Sequence, residues 1–186
     1  NEIHAQEDEE QDIANKTSSL PKDKSICIDH LRFSYDGSER NYALDDVSLV
    51  IPEHKVTAIV GESGSGKTTL IKLMQGFYQP NSGSIKIGNL NLNTINPHLW
   101  RSKTGSVMQE SFIFSDSIAN NIALNTDDVD TERLYHAAIM ANADEFISAL
   151  PLGYNTKIGM EGSGVSQGQR QRLLIARAIY KNPEYI

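Results

Sequence analysis

The eight residues Gly61-Glu62-Ser63-Gly64-Ser65-Gly66-Lys67-Thr68 constrain this chain more than any other part of it. Their pattern, G-x-x-x-x-G-K-[ST], describes a tight turn that leaves a buried strand and enters a helix. Glycine lets the backbone curl until successive N–H groups converge, and the helix that follows adds the positive end of its dipole. A cradle of this kind suits a polyphosphate. Lys67 can reach the outer phosphates of a nucleoside triphosphate, and the Thr68 hydroxyl is placed to ligate Mg²⁺. Gly61, Ser63, Gly64, Ser65, Gly66 and Thr69 complete the expected binding set. A Gly/Ser-rich turn could match the pattern by chance, but both required flanks are legible. Lys55–Val60 reads as a short apolar strand buried on both faces, and Lys67–Gln75 as a helix ended by Gly76.

The rest of the composition narrows the class. A chain of 186 residues, 39% hydrophobic and 22% charged, is long enough for one well-buried domain with an attached subdomain. No run approaches the roughly 18 consecutive apolar residues of a spanning helix. The first twelve residues hold six acids and no lysine or arginine, so they are not expected to act as a secretory signal. They also carry most of the net charge of −7, so the remainder is nearly balanced and offers no electrostatic reason to bind nucleic acid. Cys27 has no partner for an intramolecular disulfide, and His30, His54, His98 and His136 show no zinc-ligand spacing.

Along the chain, residues 1–24 read as an acidic polar linker. Ile26, Ile28, Leu31 and Phe33 suggest a strand whose alternation shifts midway, and Val47, Leu49 and Ile51 alternate cleanly. Ile85 and Ile87 open another strand, and Thr104–Met108 reads as a further one. The stretch from Ser117 to Leu150 has the pattern of two or three amphipathic helices. A last helix runs from about Ser166 to Tyr180 and is stopped at Asn182-Pro183. Strands on either side of a helical block predict an α/β core with a helical insertion.

Four further features accompany the cradle. Val165-Ser166-Gln167-Gly168-Gln169-Arg170-Gln171-Arg172 is similar to the LSGGQ signature and its basic tail. Gln109 lies about forty residues after the cradle, at the Q-loop position. Tyr35 precedes the cradle where an aromatic A-loop residue stands, and Ser117-Ile118-Ala119-Asn120-Asn121-Ile122 is similar to the S-I-x-x-N-I stretch of exporters. With these in order, the chain resembles the ATP-binding cassette of ABC exporters over nearly everything after residue 25.

That resemblance implies an α/β fold: a P-loop NTPase (RecA-like) core, an antiparallel β subdomain and an inserted α-helical subdomain at about 110–170. It implies that Tyr35 stacks on adenine, that the loop holds ATP, and that Thr68 and Gln109 attend Mg²⁺ and the attacking water. It also implies that Ser166, Gln167, Gly168 and Gln169 face the γ-phosphate held by a second cassette in a head-to-tail homodimer. The residues themselves give a second meaning to the signature, because Ser166 with Gln169 is a capping box, S-x-x-Q. Phe112 and Phe114 are left open between core packing and a groove for a coupling helix, while Trp100 and Cys27 read as packing residues.

Two departures from the pattern stand out. Gln167 replaces the first signature glycine, and the acid of Gly159-Met160-Glu161-Gly162 sits one place later than usual. The chain stops where the Walker B strand would begin, so a C-terminally incomplete cassette following a transmembrane domain of the same polypeptide is expected, with weak or no turnover of its own and reduced stability. The implied place is the cytoplasmic face of the bacterial inner membrane. The expected role is export of a peptide or bacteriocin-like cargo by a peptidase-containing transporter; the alternatives are a lipid or drug exporter cassette, or a non-catalytic nucleotide-dependent dimerisation module.

Overall fold

The computed structural model of the chain describes residues 15–38, 40–108, 111–124, 128–159 and 164–186. These divide into two compact units, Asn1–Arg101 and Ser102–Ile186.

The first unit is built on an antiparallel sheet of strands β1 (Ile26–Phe33), β2 (Leu44–Ile51), β3 (Ser82–Ile87) and β4 (Leu90–Asn91), in the order β2-β1-β3-β4. In β1 the buried side chains are Ile26 and Ile28, then Leu31 and Phe33, so the inward parity changes from even to odd. The change falls at His30, whose φ is 45°, and the pairing with β2 and β3 shifts there. A bulge of this kind inserts one residue and returns the apolar series to the same face. Gly83 accommodates it on the neighbouring strand. A Cβ there would lie 2.3 Å from the His30 carbonyl oxygen. Helix α1 (Lys67–Met74) buries Thr69, Leu70 and Leu73, and Trp100 of α2 (Pro97–Lys103) is buried with its indole N–H donating to the Met74 carbonyl at 2.9 Å. The polar segment before β1 is fastened at Thr17, which bridges Ile95 in parallel.

The second unit is mainly helical: α3 (Ile118–Ala123), α4 (Thr131–Met140), α5 (Asp144–Ser148) and α6 (Gln167–Tyr180), with a two-residue ladder between β5 (Asp116–Ser117) and β6 (Lys157–Ile158). Its core gathers Ile118, Ile122, Leu134, Ala137, Ala138, Ile147, Leu173 and Ala176. On α4 and its C-cap the buried residues Leu134, Ala137, Ala138 and Ala141 follow the i, i+3, i+4, i+7 spacing of one helix face, and the alanines let helices approach closely.

Two sequence expectations are corrected. Lys55–Val60 is not a strand; Val56 is fully exposed and Val60 is 88% exposed. An apolar run becomes a buried strand only when neighbours cover it, and among the described residues no strand pairs with it. The expected strand Thr104–Met108 is reduced to a single parallel bridge, Thr104 with Tyr185, supported by Gly105 N–H donating to the Tyr185 carbonyl at 2.8 Å. Among the described residues no strand pairing extends it beyond Gly105. The remaining elements lie where the patterns put them, including the C-terminal stop of α1 at Gly76, with φ 77°.

Candidate functional site

The loop Gly61–Thr68 closes around its own lysine. The Lys67 ammonium donates to the carbonyls of Gly61 at 2.8 Å and Glu62 at 2.5 Å, and to Ser65 Oγ at 3.1 Å. These three acceptors match the three protons of an ammonium group. The Ser65 N–H returns to the Glu62 carbonyl at 3.2 Å and tightens the turn. Glycine is required at two places. A Cβ on Gly61 would lie 2.7 Å from Ser65 Oγ. One on Gly66, where φ is 85°, would lie 2.6 Å from both the Ala43 carbonyl oxygen and Leu44 Cδ2. The loop is therefore seated directly on the entry to β2.

Helix α1 begins at Lys67 with no side-chain cap from Gly66, and its first helical bond is Leu70 N–H to the Gly66 carbonyl at 2.8 Å. The N–H groups of Lys67, Thr68 and Thr69 therefore precede the helical ladder and remain for an acceptor outside the helix. Three helix-end amides and the exposed residue Thr68 form a donor-rich cradle, which fits a phosphate chain with its cation once the Lys67 ammonium exchanges its loop acceptors for phosphate oxygens. Ser63 and Gly64 are exposed at the rim of the loop.

Tyr35 stands beside this helix. Its hydroxyl shares a 3.0 Å hydrogen bond with Thr69 Oγ1, and its ring meets Phe33 and Tyr78 edge-on, at centroid distances of 5.0 and 5.5 Å. Tyr35 as a whole remains 58% exposed. Since the Thr69 hydroxyl is engaged by Tyr35, what Thr69 offers the cradle is its backbone N–H.

The second predicted cluster heads α6. Ser166 Oγ accepts the Gln169 N–H at 3.2 Å, and Gln169 Oε1 accepts the Ser166 N–H at 2.8 Å, so the capping box forms in both directions. Ser166, Gln167 and Gly168 are exposed, and the space around Gly168 is open. Gln109 and the stretch Met160–Gly162 lie outside the described residues.

The sequence pattern did not single out the arginines of α6, although Arg170 and Arg177 are seven residues apart and so share a face. Arg170 donates to the Ser111 carbonyl at 3.0 Å. Arg177 donates to the carbonyls of Phe112 at 2.7 Å and Asn121 at 2.8 Å. Burial pushes its guanidinium below the ordinary value. Phe112 and Phe114 are half-exposed and meet edge-on, and Arg177 lies over the Phe114 ring, so neither phenylalanine is core. Among the described residues, no helix is long and apolar enough to cross a membrane.

A family model described as ABC transporter matches residues 44–186. The toxin RTX-III translocation ATP-binding protein of Actinobacillus pleuropneumoniae is 44% identical over 161 residues, which are 87% of this chain and 22% of that protein. The mouse mitochondrial ATP-binding cassette sub-family B member 10 is 42% identical over 84% of this chain and 22% of its own length. Among solved structures, a bacterial Atm1-family ABC exporter with ATP bound superposes with a TM-score of 0.83 at 34% identity, covering 91% of this chain and 30% of that one. The chain thus spans about a quarter of the length of these relatives.

Proposed function

Given that this chain belongs to the ABC transporter family, as an ATP-binding domain of exporter type, we propose that it binds MgATP to power export by a larger transporter. One observation carries the reading: the amides of Lys67–Thr69 stay outside the helical ladder at the head of α1, beside an ammonium that can exchange its loop acceptors for phosphate oxygens. Gly61, Ser63, Gly64, Ser65 and Gly66 shape the wall, Lys67 holds the outer phosphates, and the amides of Thr68 and Thr69 add donors. Thr68, with Gln109, would hold Mg²⁺, which when bound neutralises phosphate charge. Tyr35 receives the adenine on its free face. Ser166, Gln167, Gly168 and Gln169 present a capped helix end to the nucleotide of a second cassette, a second copy of this chain. Activating a water for hydrolysis needs a base placed at the terminal phosphate. We assign that role to no residue of this chain and expect slow turnover from it alone.

Three of the similar proteins are named for translocation of RTX-III toxin, of an exotoxin and of a leukotoxin. That favours a polypeptide cargo, with a transmembrane domain in the same polypeptide and the cassette at the cytoplasmic face of a bacterial inner membrane. A drug cargo is the second reading, favoured by a 38% identical multidrug resistance protein of Entamoeba histolytica. Calorimetry with MgATP tests the binding reading: wild type should saturate at millimolar nucleotide, and Lys67→Ala should show no measurable heat. Equal affinity in the two proteins would refute it.

A further inference from the structure

Deepening the nucleotide-site reading above, on which it rests, we infer that Thr69 is a positioning residue for the nucleobase, acting through the Tyr35 hydroxyl. Tyr35 is held from three directions. Phe33 and Tyr78 meet its ring at interplanar angles of 80° and 87°, which fixes the plane of the ring. Thr69 Oγ1, at 3.0 Å, fixes how far the ring stands from α1. Those contacts come from β1, from the turn after α1, and from α1 itself, so the ring is placed by the same helix whose first turn supplies the phosphate donors.

The tether matters because stacking alone is tolerant. An aromatic face accepts a base over a range of offsets, so a loosely held tyrosine would set neither the height nor the reach of the base above the loop. A hydrogen bond between the stacking ring and the phosphate-loop helix makes the separation of base and phosphate sites a property of the folded protein. The ligand selected is a nucleoside triphosphate whose base and phosphates span that separation, in preference to bare polyphosphate. Thr69 is 7% exposed, a setting in which valine would fill the same volume, so its hydroxyl rather than its shape is what the tether uses.

The test compares affinities for MgATP and for magnesium tripolyphosphate, measured by calorimetry on the chain and on Tyr35→Phe, Thr69→Val and Thr69→Ser. The ratio of the two affinities isolates the contribution of the base. Tyr35→Phe and Thr69→Val should each lower the ATP preference about fivefold. The double variant should lose no more than either single one, and Thr69→Ser, which keeps the hydroxyl, should retain the wild-type ratio. An unchanged ratio in Tyr35→Phe or Thr69→Val overturns the inference, as do additive losses. So does a Thr69→Val variant that weakens both ligands equally, since the hydroxyl would then serve phosphate. A wild-type chain that binds neither ligand would instead remove the loop reading, and this inference with it.

Discussion

Arg177 and Asn121 are joined twice: Nε of the arginine donates to the Asn121 carbonyl at 2.8 Å, and Nη2 reaches Asn121 Oδ1 at 3.2 Å. Asn121 is 1% exposed, and its amide is saturated. Oδ1 also accepts the Phe114 N–H at 2.8 Å, while Nδ2 donates to the carbonyls of Phe114 at 2.9 Å and Ser117 at 3.0 Å. One buried side chain thus organises the turn from Phe114 into α3 and ties it to α6.

Replacing Asn121 with leucine keeps the branching and number of side-chain heavy atoms but strands several of these groups without partners. Each unsatisfied buried polar group costs about 1–3 kcal/mol, so a total loss of about 3 kcal/mol is expected. Urea denaturation should show a lower midpoint with an unchanged slope. A shift under about 0.5 kcal/mol, the range of an ordinary surface substitution, would show that water or relaxation replaces the network.

Gly66→Ala should damage the loop without touching a charge. The left-handed backbone and the 2.6 Å approach to Ala43 and Leu44 give a Cβ no place to go. A cost of about 2 kcal/mol is expected, together with weaker MgATP binding because the loop must leave its seat on β2. Gly64→Ala is the control. Its φ of 84° is equally left-handed but the space is open, so it should show backbone strain without the clash and a smaller loss. Equal losses in the two variants would mean that the clash does not matter.

His30 carries a pH signature of the bulge. The hydrogen bond that His30 Nδ1 donates to Asp46 Oδ1 at 2.7 Å, then the charges of Asp46 and Asp29, raise the imidazole above its ordinary value, against desolvation and the charge of Arg32; the same bond lowers Asp46. The raised histidine contributes stability that is complete below the ordinary imidazole value and is lost as pH rises through its own. The lowered aspartate contributes above the ordinary carboxylate value and loses its contribution as pH falls through its own. The pair is therefore fully formed between about pH 4 and pH 6.5. Both groups are exposed, so the informative readout is an NMR titration. His30 should titrate above a peptide histidine, and Asp46→Asn should bring it down. A wild-type value at or below the peptide reference would contradict the pairing.

What the sequence made legible depended on whether the controlling partners were near in the chain. The parity change in β1 was visible because the bulge acts on the strand that contains it. The capping box was visible because Ser166 and Gln169 are three residues apart and satisfy each other. Lys55–Val60 misled for the opposite reason: its six residues are locally a buried strand, but burial is conferred by neighbours that the segment does not specify. The link between Asn121 and Arg177 was opaque for the same cause: Asn121 could be placed in the S-I-x-x-N-I stretch, but a partner 56 positions away leaves no periodic trace. Tyr35 fell between these cases. Its place before the loop was readable, whereas its bond to Thr69, 34 positions on, was not.

The reciprocal cap at the head of α6 has a consequence for assembly. Because Ser166 and Gln169 already hold each other, the chain has given up the conformational freedom of that turn before any visitor arrives. If the proposed second cassette docks there, it would meet a rigid rim instead of one it must first organise, so its arrival rate should be governed by diffusion and orientation.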